Sequence, residues 1–307
     1  MTANRVAMGE TVLELAREDE RICIVESDIA GSVNFTPFIQ TFPERHFDCG
    51  IAEQNMVGVA AGLASCGYIP FVASFAVFAS MRALDQVRNA LCYNHFPVVV
   101  VGSHAGLETG PDGATHQAVE DVAIMRAVPG ITVLAPSTPV MTRALTRAAA
   151  YAGGPVYLRL GRDKMEEHYE DGEKFEIGGS KMLKEGEDVA IMAYGNMVTP
   201  AMRAAEQLKE KGVSASVIDM YSLKPFDEAR VIAEGKSKKV IITAEDHNII
   251  GGLFGAVAET LAKNGIGCKT APVGVEDKLG KAGNSADLFR MYGLNAENIV
   301  KTTLEAL

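Results

Sequence analysis

Apolar residues along the first half of the chain follow two alternating spacings. Short unbroken apolar blocks are separated by longer stretches in which apolar positions recur every three or four residues. The first pattern suits a strand buried on both faces, the second a helix with one apolar face. On this basis residues 6–18 form a helix, and Ile22–Val25 a strand ending in Glu26-Ser27-Asp28. Gly50–Gly67 carries Ile51, Met56, Val59, Ala60 and Leu63 at helical spacing, and Gly67 stops it. Further strands are expected at Pro70–Ser74, Pro97–Val101, Ile131–Ala135 and Val156–Leu160. Helices are expected at Ala79–Cys92, near Gln117–Arg126 and at Pro139–Tyr151, with a glycine-rich loop at Gly102–Gly113.

This alternation predicts an α/β fold on parallel sheets covered by helices. It breaks at Arg162–Asp188, a stretch dense in Glu, Lys and Gly. The chain therefore divides into a domain at 1–165, a linker at 166–187 and a smaller α/β domain at 188–307. In the last, strands at 189–194, 215–219 and 239–244 alternate with helices at 199–211, 227–235 and 252–264.

Composition narrows the function classes. The 307 residues suffice for two domains at roughly 100–200 residues each. A net charge of -10, with no run of Lys or Arg, argues against nucleic acid and anionic membrane as partners. No apolar run reaches membrane-spanning length, and the start lacks an apolar signal core. The cysteines Cys23, Cys49, Cys66, Cys92 and Cys268 form no Cys-x-x-Cys pair, which suggests reduced thiols in a cytoplasm.

Ligands of open α/β sheets bind beyond the carboxyl ends of strands. Three segments fall there: Ser27–Ser32, Ser74–Phe78 and His104–His116. The last combines two histidines, Glu108, Asp112 and glycines, a composition suited to proton transfer beside a closely approaching backbone. The bland alternative is a flexible surface loop. No metal site is expected, because His104 and His116 lack companions at zinc spacing. No G-x-G-x-x-G or Walker loop occurs. Glu53 is either a helix-end charge or, among Ile51, Ala52, Met56 and Val57, a buried carboxyl with a raised pKa. Phe75 and Phe78 are core residues or a wall for a planar heterocycle. Arg162 is a linker charge or an anion clamp.

Together these segments resemble the transketolase family. The resemblance is carried by Asp48-Cys-Gly-Ile-Ala-Glu-Gln-Asn-Met56, Ser74-Phe-Ala-Val-Phe78, His104 with Asp112-Gly-Ala-Thr-His-Gln117, and Glu26-Ser-Asp-Ile-Ala-Gly-Ser32. It spans nearly the whole chain but covers only the pyrimidine-binding and C-terminal domains. The Gly-Asp-Gly…Asn magnesium motif of the diphosphate-binding domain does not occur; Pro111-Asp112-Gly113 is the nearest string. The chain thus looks like the C-terminal subunit of a two-chain transketolase. That implies a thiamine-diphosphate pyrimidine-binding fold followed by a smaller C-terminal α/β domain. It also implies transfer of a two-carbon ketol unit from a ketose phosphate to an aldose phosphate in the pentose phosphate pathway.

The resemblance further implies thiamine diphosphate as cofactor, with Mg2+ held mainly by an N-terminal partner subunit in an α2β2 assembly. Glu53 would hydrogen-bond the aminopyrimidine N1′ nitrogen, with Phe75, Phe78 and Ile29 around the cofactor. A third aromatic of that wall would fall at Met81. His104 and His116 would contact sugar hydroxyls and assist proton transfer. Asp112 would read the donor hydroxyl configuration, and Arg5, Ser32 and Arg162 would bind the sugar phosphate. Related alternatives are 1-deoxyxylulose-5-phosphate synthase, normally a single chain, and the beta subunit of a 2-oxo-acid dehydrogenase, which the Glu245-Asp-His-Asn string resembles. A non-catalytic partner subunit is the alternative of another class; Glu53 and both histidines weigh against it.

Overall fold

The computed structural model describes residues 1–307. Two sheets, each largely parallel, organise the chain, so the expected α/β class holds. In the first, the spatial order is Ser222–Lys224, Thr132–Leu134, Val156–Arg159, Val99–Ser103, Ile69–Phe75, Ile22–Glu26, His46–Asp48. All pairs are parallel except the edge strand Ser222–Lys224, which runs antiparallel to Thr132–Leu134. The strands are apolar on both faces because helices cover both. Val25, Val72 and Val100 pack under Met56, Val57 and Ala60 of the helix Glu53–Ser65. On the opposite face Ile24, Phe71 and Val99 meet Met8, Val12 and Leu15 of the helix Asn4–Glu18.

The second sheet runs Lys269–Val275, Val240–Asn248, Val189–Ala193, Ala215–Asp219, Lys181–Lys184, with only the last strand antiparallel. Its core gathers Ile191, Val217 and Ile242 with Leu208 and Ile299. No helix is long and apolar enough to cross a membrane.

The structure departs from the sequence expectation in three places. The helix expected at Ala79–Cys92 is irregular. Wide π-type turns at Phe78–Arg82 and Val87–Cys92 flank a single α turn at Leu84–Gln86. The Ala83 N–H accordingly donates to the Phe78 carbonyl, five residues back, at 3.1 Å. The stretch 166–187 is more than connecting chain: Tyr169 and Phe175 are buried with Tyr221, and Lys181–Lys184 joins the second sheet. Finally, Ser222–Lys224 leaves the second unit to extend the first sheet.

Buried polar groups tie the two sheets together. Asp219 ends the strand Ala215–Asp219 and accepts hydrogen bonds from the Ser137 and Tyr169 hydroxyls, the latter at 2.9 Å. Burial pushes the Asp219 pKa from 3.8 up to about 7. Between those values the folded chain keeps a proton that the unfolded chain releases, so this group's contribution to stability declines as pH rises through that window. Asp219→Asn, which cannot ionise but keeps an acceptor oxygen, is expected to lack this decline. Its melting temperature relative to the parent should rise from pH 4 to 7 and stay level above; a difference independent of pH would contradict the assignment.

Candidate active site

The carboxyl ends of Ile22–Glu26, Ile69–Phe75 and Val99–Ser103 lie side by side, and the candidate residues follow from them. Glu53 is the first residue of its helix, where the helix dipole favours a carboxylate, and it is buried. Its Oε2 accepts from Arg82 Nη1 at 3.0 Å. Its Oε1 is reached only by the Ser74 hydroxyl, at 3.4 Å, and Ser74 Oγ accepts from Ser27 Oγ at 3.1 Å. The expectation of scant polar company around Glu53 is therefore corrected: an ion pair and a chain of hydroxyls attend it.

Arg82 lies with its guanidinium 4.1 Å from the centre of the Phe78 ring, a cation–π stack. Phe75 and Phe78 are half-buried, with ring centres 6.3 Å apart and planes 21° from parallel. They present a flat apolar wall. Met81 packs beside them on Ala76, Val77, Ala105 and Ala118, so a thioether stands where a third ring was in question. The His104 ring lies 4.4 Å from Phe75, and the His116 ring meets Phe78 edge-on at 5.2 Å.

The loop carrying these histidines is not a flexible surface loop. Ser103–Gly110 is buried, and Leu107–Asp112 forms 3-10 turns interrupted by a kink at Gly110, whose φ is 69°. His104 sits at φ 55°, a left-handed conformation that side chains rarely adopt and that clusters at functional sites. Its Nδ1 lies 2.9 Å from the Ser103 hydroxyl. Burial, then the positive charges of Arg5 and Arg162, depress its pKa to about 4, against an opposing pull from Asp112. At neutral pH the imidazole is therefore uncharged.

Those charges also mark a second group of residues beside His104. Arg5 Nη1 donates to the Ser32 carbonyl at 3.0 Å and Arg5 Nε to the Arg162 carbonyl at 3.4 Å. Arg162 Nη1 donates to the Thr109 carbonyl at 3.0 Å. Asp112 is exposed at the end of its turn. His116 Nδ1 lies 2.9 Å from the Thr115 hydroxyl. Of the sequence-derived residues, Phe75, Phe78, His104 and His116 lie in ring contact, Arg5, Ser32 and Arg162 are joined by hydrogen bonds, and Ile29 lies at the margin. The Ile29 N–H donates to Glu26 Oε2 at 2.6 Å, and its side chain packs on the first sheet's core, apart from the phenylalanine pair. A groove of about 500 Å³ lined by residues that include Glu108, Asn196 and Phe289 contains none of Glu53, Phe75 and Phe78. No group of three or more His, Cys, Asp or Glu side chains is placed to hold a metal ion.

Sequence reasoning missed Arg82, Ser74 and Ser27 as partners of Glu53. The signal for Arg82 was an arginine four residues beyond Phe78, the spacing of neighbours on one helix face.

An edge of this kind, a buried carboxylate facing aromatic and histidine side chains at the ends of parallel strands, accords with the family comparisons. Residues 1–167 match the family described as transketolase, pyrimidine binding domain, and residues 178–299 that described as transketolase, C-terminal domain. The chain belongs to the transketolase family. It is 45% identical over 305 residues to a Methanocaldococcus jannaschii chain provisionally named a transketolase C-terminal section, covering 99% of this chain and 96% of that one. It is 40% identical over 298 residues to a 6-deoxy-6-sulfo-D-fructose transketolase subunit of Clostridium sp. strain MSTE9, covering 96% and 92%. A solved structure described as a split gene transketolase, inactive beta4 tetramer, superposes with a TM-score of 0.93 at 41% identity, over 100% of this chain and 99% of that one.

Proposed function

We propose that this chain is one subunit of a two-chain transketolase, transferring a two-carbon ketol unit from a ketose phosphate to an aldose phosphate in the cytoplasmic pentose phosphate pathway. The observation that carries the reading is Glu53 buried beside the Phe75–Phe78 wall, with His104 linking that wall to Arg5 and Arg162. Relatives of matching length named as a section or subunit of a transketolase support it.

These side chains suit the aminopyrimidine of thiamine diphosphate. Glu53 Oε1, held only by a long bond from Ser74, is the oxygen available to N1′. Phe75 and Phe78 offer near-parallel faces for the ring, with Ile29 on the adjoining turn. The bound cofactor supplies a nucleophilic carbon that no side chain here provides. On this reading the diphosphate and Mg2+ belong to an N-terminal partner carrying Gly-Asp-Gly…Asn, in an α2β2 assembly. Neutral His104, with His116, accepts and returns protons at sugar hydroxyls. Asp112 reads the donor hydroxyl at the open rim. Arg5 and Arg162, with Ser32, hold the terminal phosphate through charge-assisted bonds.

The decisive experiment mixes this chain with such a partner, Mg2+ and thiamine diphosphate, and assays transfer from xylulose 5-phosphate to ribose 5-phosphate. Activity is expected from the mixture and not from either chain alone. Robust turnover by this chain alone, or none by the mixture, refutes the reading. Arg162→Ala is expected to raise KM for phosphorylated sugars about tenfold or more while kcat changes less. An unchanged KM would leave Arg162 a structural charge.

A further inference from the structure

Glu108 lies in the 3-10 turn between His104 and Asp112, and none of the roles above uses it. Its side chain is buried, yet it has no cationic partner. Its Oε2 accepts from two consecutive backbone N–H groups, Arg162 at 2.6 Å and Asp163 at 3.1 Å. Its Oε1 accepts from Asn196 Nδ2 at 2.9 Å, and the same nitrogen donates to Asp246 Oδ2 at 2.8 Å. Asp246 in turn accepts from the Leu107 N–H at 3.0 Å. Two buried carboxylates therefore share one amide across the boundary between the sheets.

The backbone is cut to fit them. A Cβ at Gly161 would stand 2.2 Å from Glu108 Oε2, and one at Gly106 would stand 1.9 Å from Asp246 Oδ2. Burial, then the charge of Asp246, pushes the Glu108 pKa up to about 7. Three hydrogen bonds offset only part of the cost of burying an acid without a cation, a cost that an apolar residue of similar size would avoid.

The arrangement grips Arg162 twice. The Glu108 side chain fixes the two peptide units on either side of the Arg162 Cα, and the next carbonyl, Thr109, takes the Arg162 guanidinium. We propose that Glu108 is a positioning residue for the anion-binding end of the site: it sets the backbone from which Arg162 reaches the substrate's terminal phosphate, and it anchors that setting to the second sheet through Asn196 and Asp246. The inference rests on the reading of Arg162 as a phosphate ligand.

The test compares Glu108→Ala and Glu108→Gln in the full two-chain assembly, with a phosphorylated ketose donor and its unphosphorylated counterpart. Glu108→Ala is expected to raise KM for the phosphorylated donor about tenfold or more, because small misplacements of a binding group are costly. Its kcat should stay within about twofold, and kcat/KM for the unphosphorylated donor should not move. Glu108→Gln, which keeps one acceptor oxygen for both N–H groups but turns its NH2 toward the Asn196 donor, should recover only part of the loss. Titration of inorganic phosphate into the full chain gives a readout independent of turnover: weaker binding in the alanine variant, and binding between that and the parental level in the glutamine variant. Equal losses with both donors, or no loss with either, overturn the proposal. Arg162→Ala, measured in parallel, separates the two claims. If it leaves phosphate discrimination intact, the phosphate site and this inference fall together. If it abolishes discrimination while Glu108→Ala preserves it, this inference alone falls. Should Glu108→Ala not fold, Asn196→Ala removes the tether to the second sheet and is expected to raise the same KM; an unchanged KM counts against the proposal.

Discussion

Glu53→Gln is expected to cut turnover of the reconstituted enzyme by a factor on the order of a hundred to ten thousand, the usual worth of a positioned proton-transfer group. The amide copies the shape of the carboxyl and still accepts from Ser74 through its oxygen. It cannot exchange a proton with N1′ as a carboxyl can. Folding should survive, because Arg82, with 46% of its side chain exposed, can keep its stack on Phe78 and turn its free N–H groups to water. Two measurements decide the matter: hydrogen–deuterium exchange at the cofactor's acidic carbon, and the melting temperature. If exchange runs at nearly the parental rate, Glu53 does no more than complement a helix end, a role worth about 0.3–1 kcal/mol.

The largest expected loss of stability follows from Arg159→Met. Arg159 Nε donates to Asp121 Oδ2 at 2.9 Å, and its Nη2 donates to the carbonyls of Asp246, at 2.8 Å, and Ala118, at 3.3 Å. The guanidinium also lies 5.5 Å from the centre of the Tyr194 ring. Both members of the ion pair are buried, Arg159 at 5% exposed and Asp121 at 0%. Methionine fills part of the space but leaves Asp121 with only the Tyr157 hydroxyl, at 2.7 Å, and takes a donor from the Asp246 and Ala118 carbonyls, of which Ala118 keeps the Gly106 N–H at 2.9 Å. Breaking one side of a buried pair costs about 3–5 kcal/mol, a large share of a domain's stability. Denaturant unfolding measures it directly. A loss below about 1 kcal/mol would mean that water reaches the cluster and that Arg159 behaves as a surface charge. The double variant Arg159→Met with Asp121→Asn should regain part of the loss, since the stranded charge is then gone.

Much of this architecture was legible because parallel strands write themselves as apolar runs. Ile22–Val25 and Val99–Val101 are buried on both faces and left no other assignment. The loops after those strands were legible as sites for the same topological reason. Less visible were features set by partners far away in sequence. Tyr169 and Phe175 stand singly among charges, so nothing local announced that they pack with Tyr221. The bonds from Asn196 to Glu108 and Asp246 join residues 88 and 50 positions apart. The resemblance put the third aromatic of the wall at Met81, where this chain has a thioether. Arg82, four residues past Phe78, lies over the Phe78 ring, and Met81 packs nearby.

The edge strand Ser222–Lys224 sets a rule for dividing this chain into fragments. It covers Thr132–Leu134, and next to it the Ala135 N–H donates to the Tyr221 carbonyl at 2.8 Å. A fragment that stops before residue 222 would display a bare row of amides and carbonyls along Thr132–Leu134, the kind of border on which further copies stack into aggregates. Fragments meant to stay soluble therefore need residues 222–224 retained, or a charged or proline substitution that blunts the exposed border.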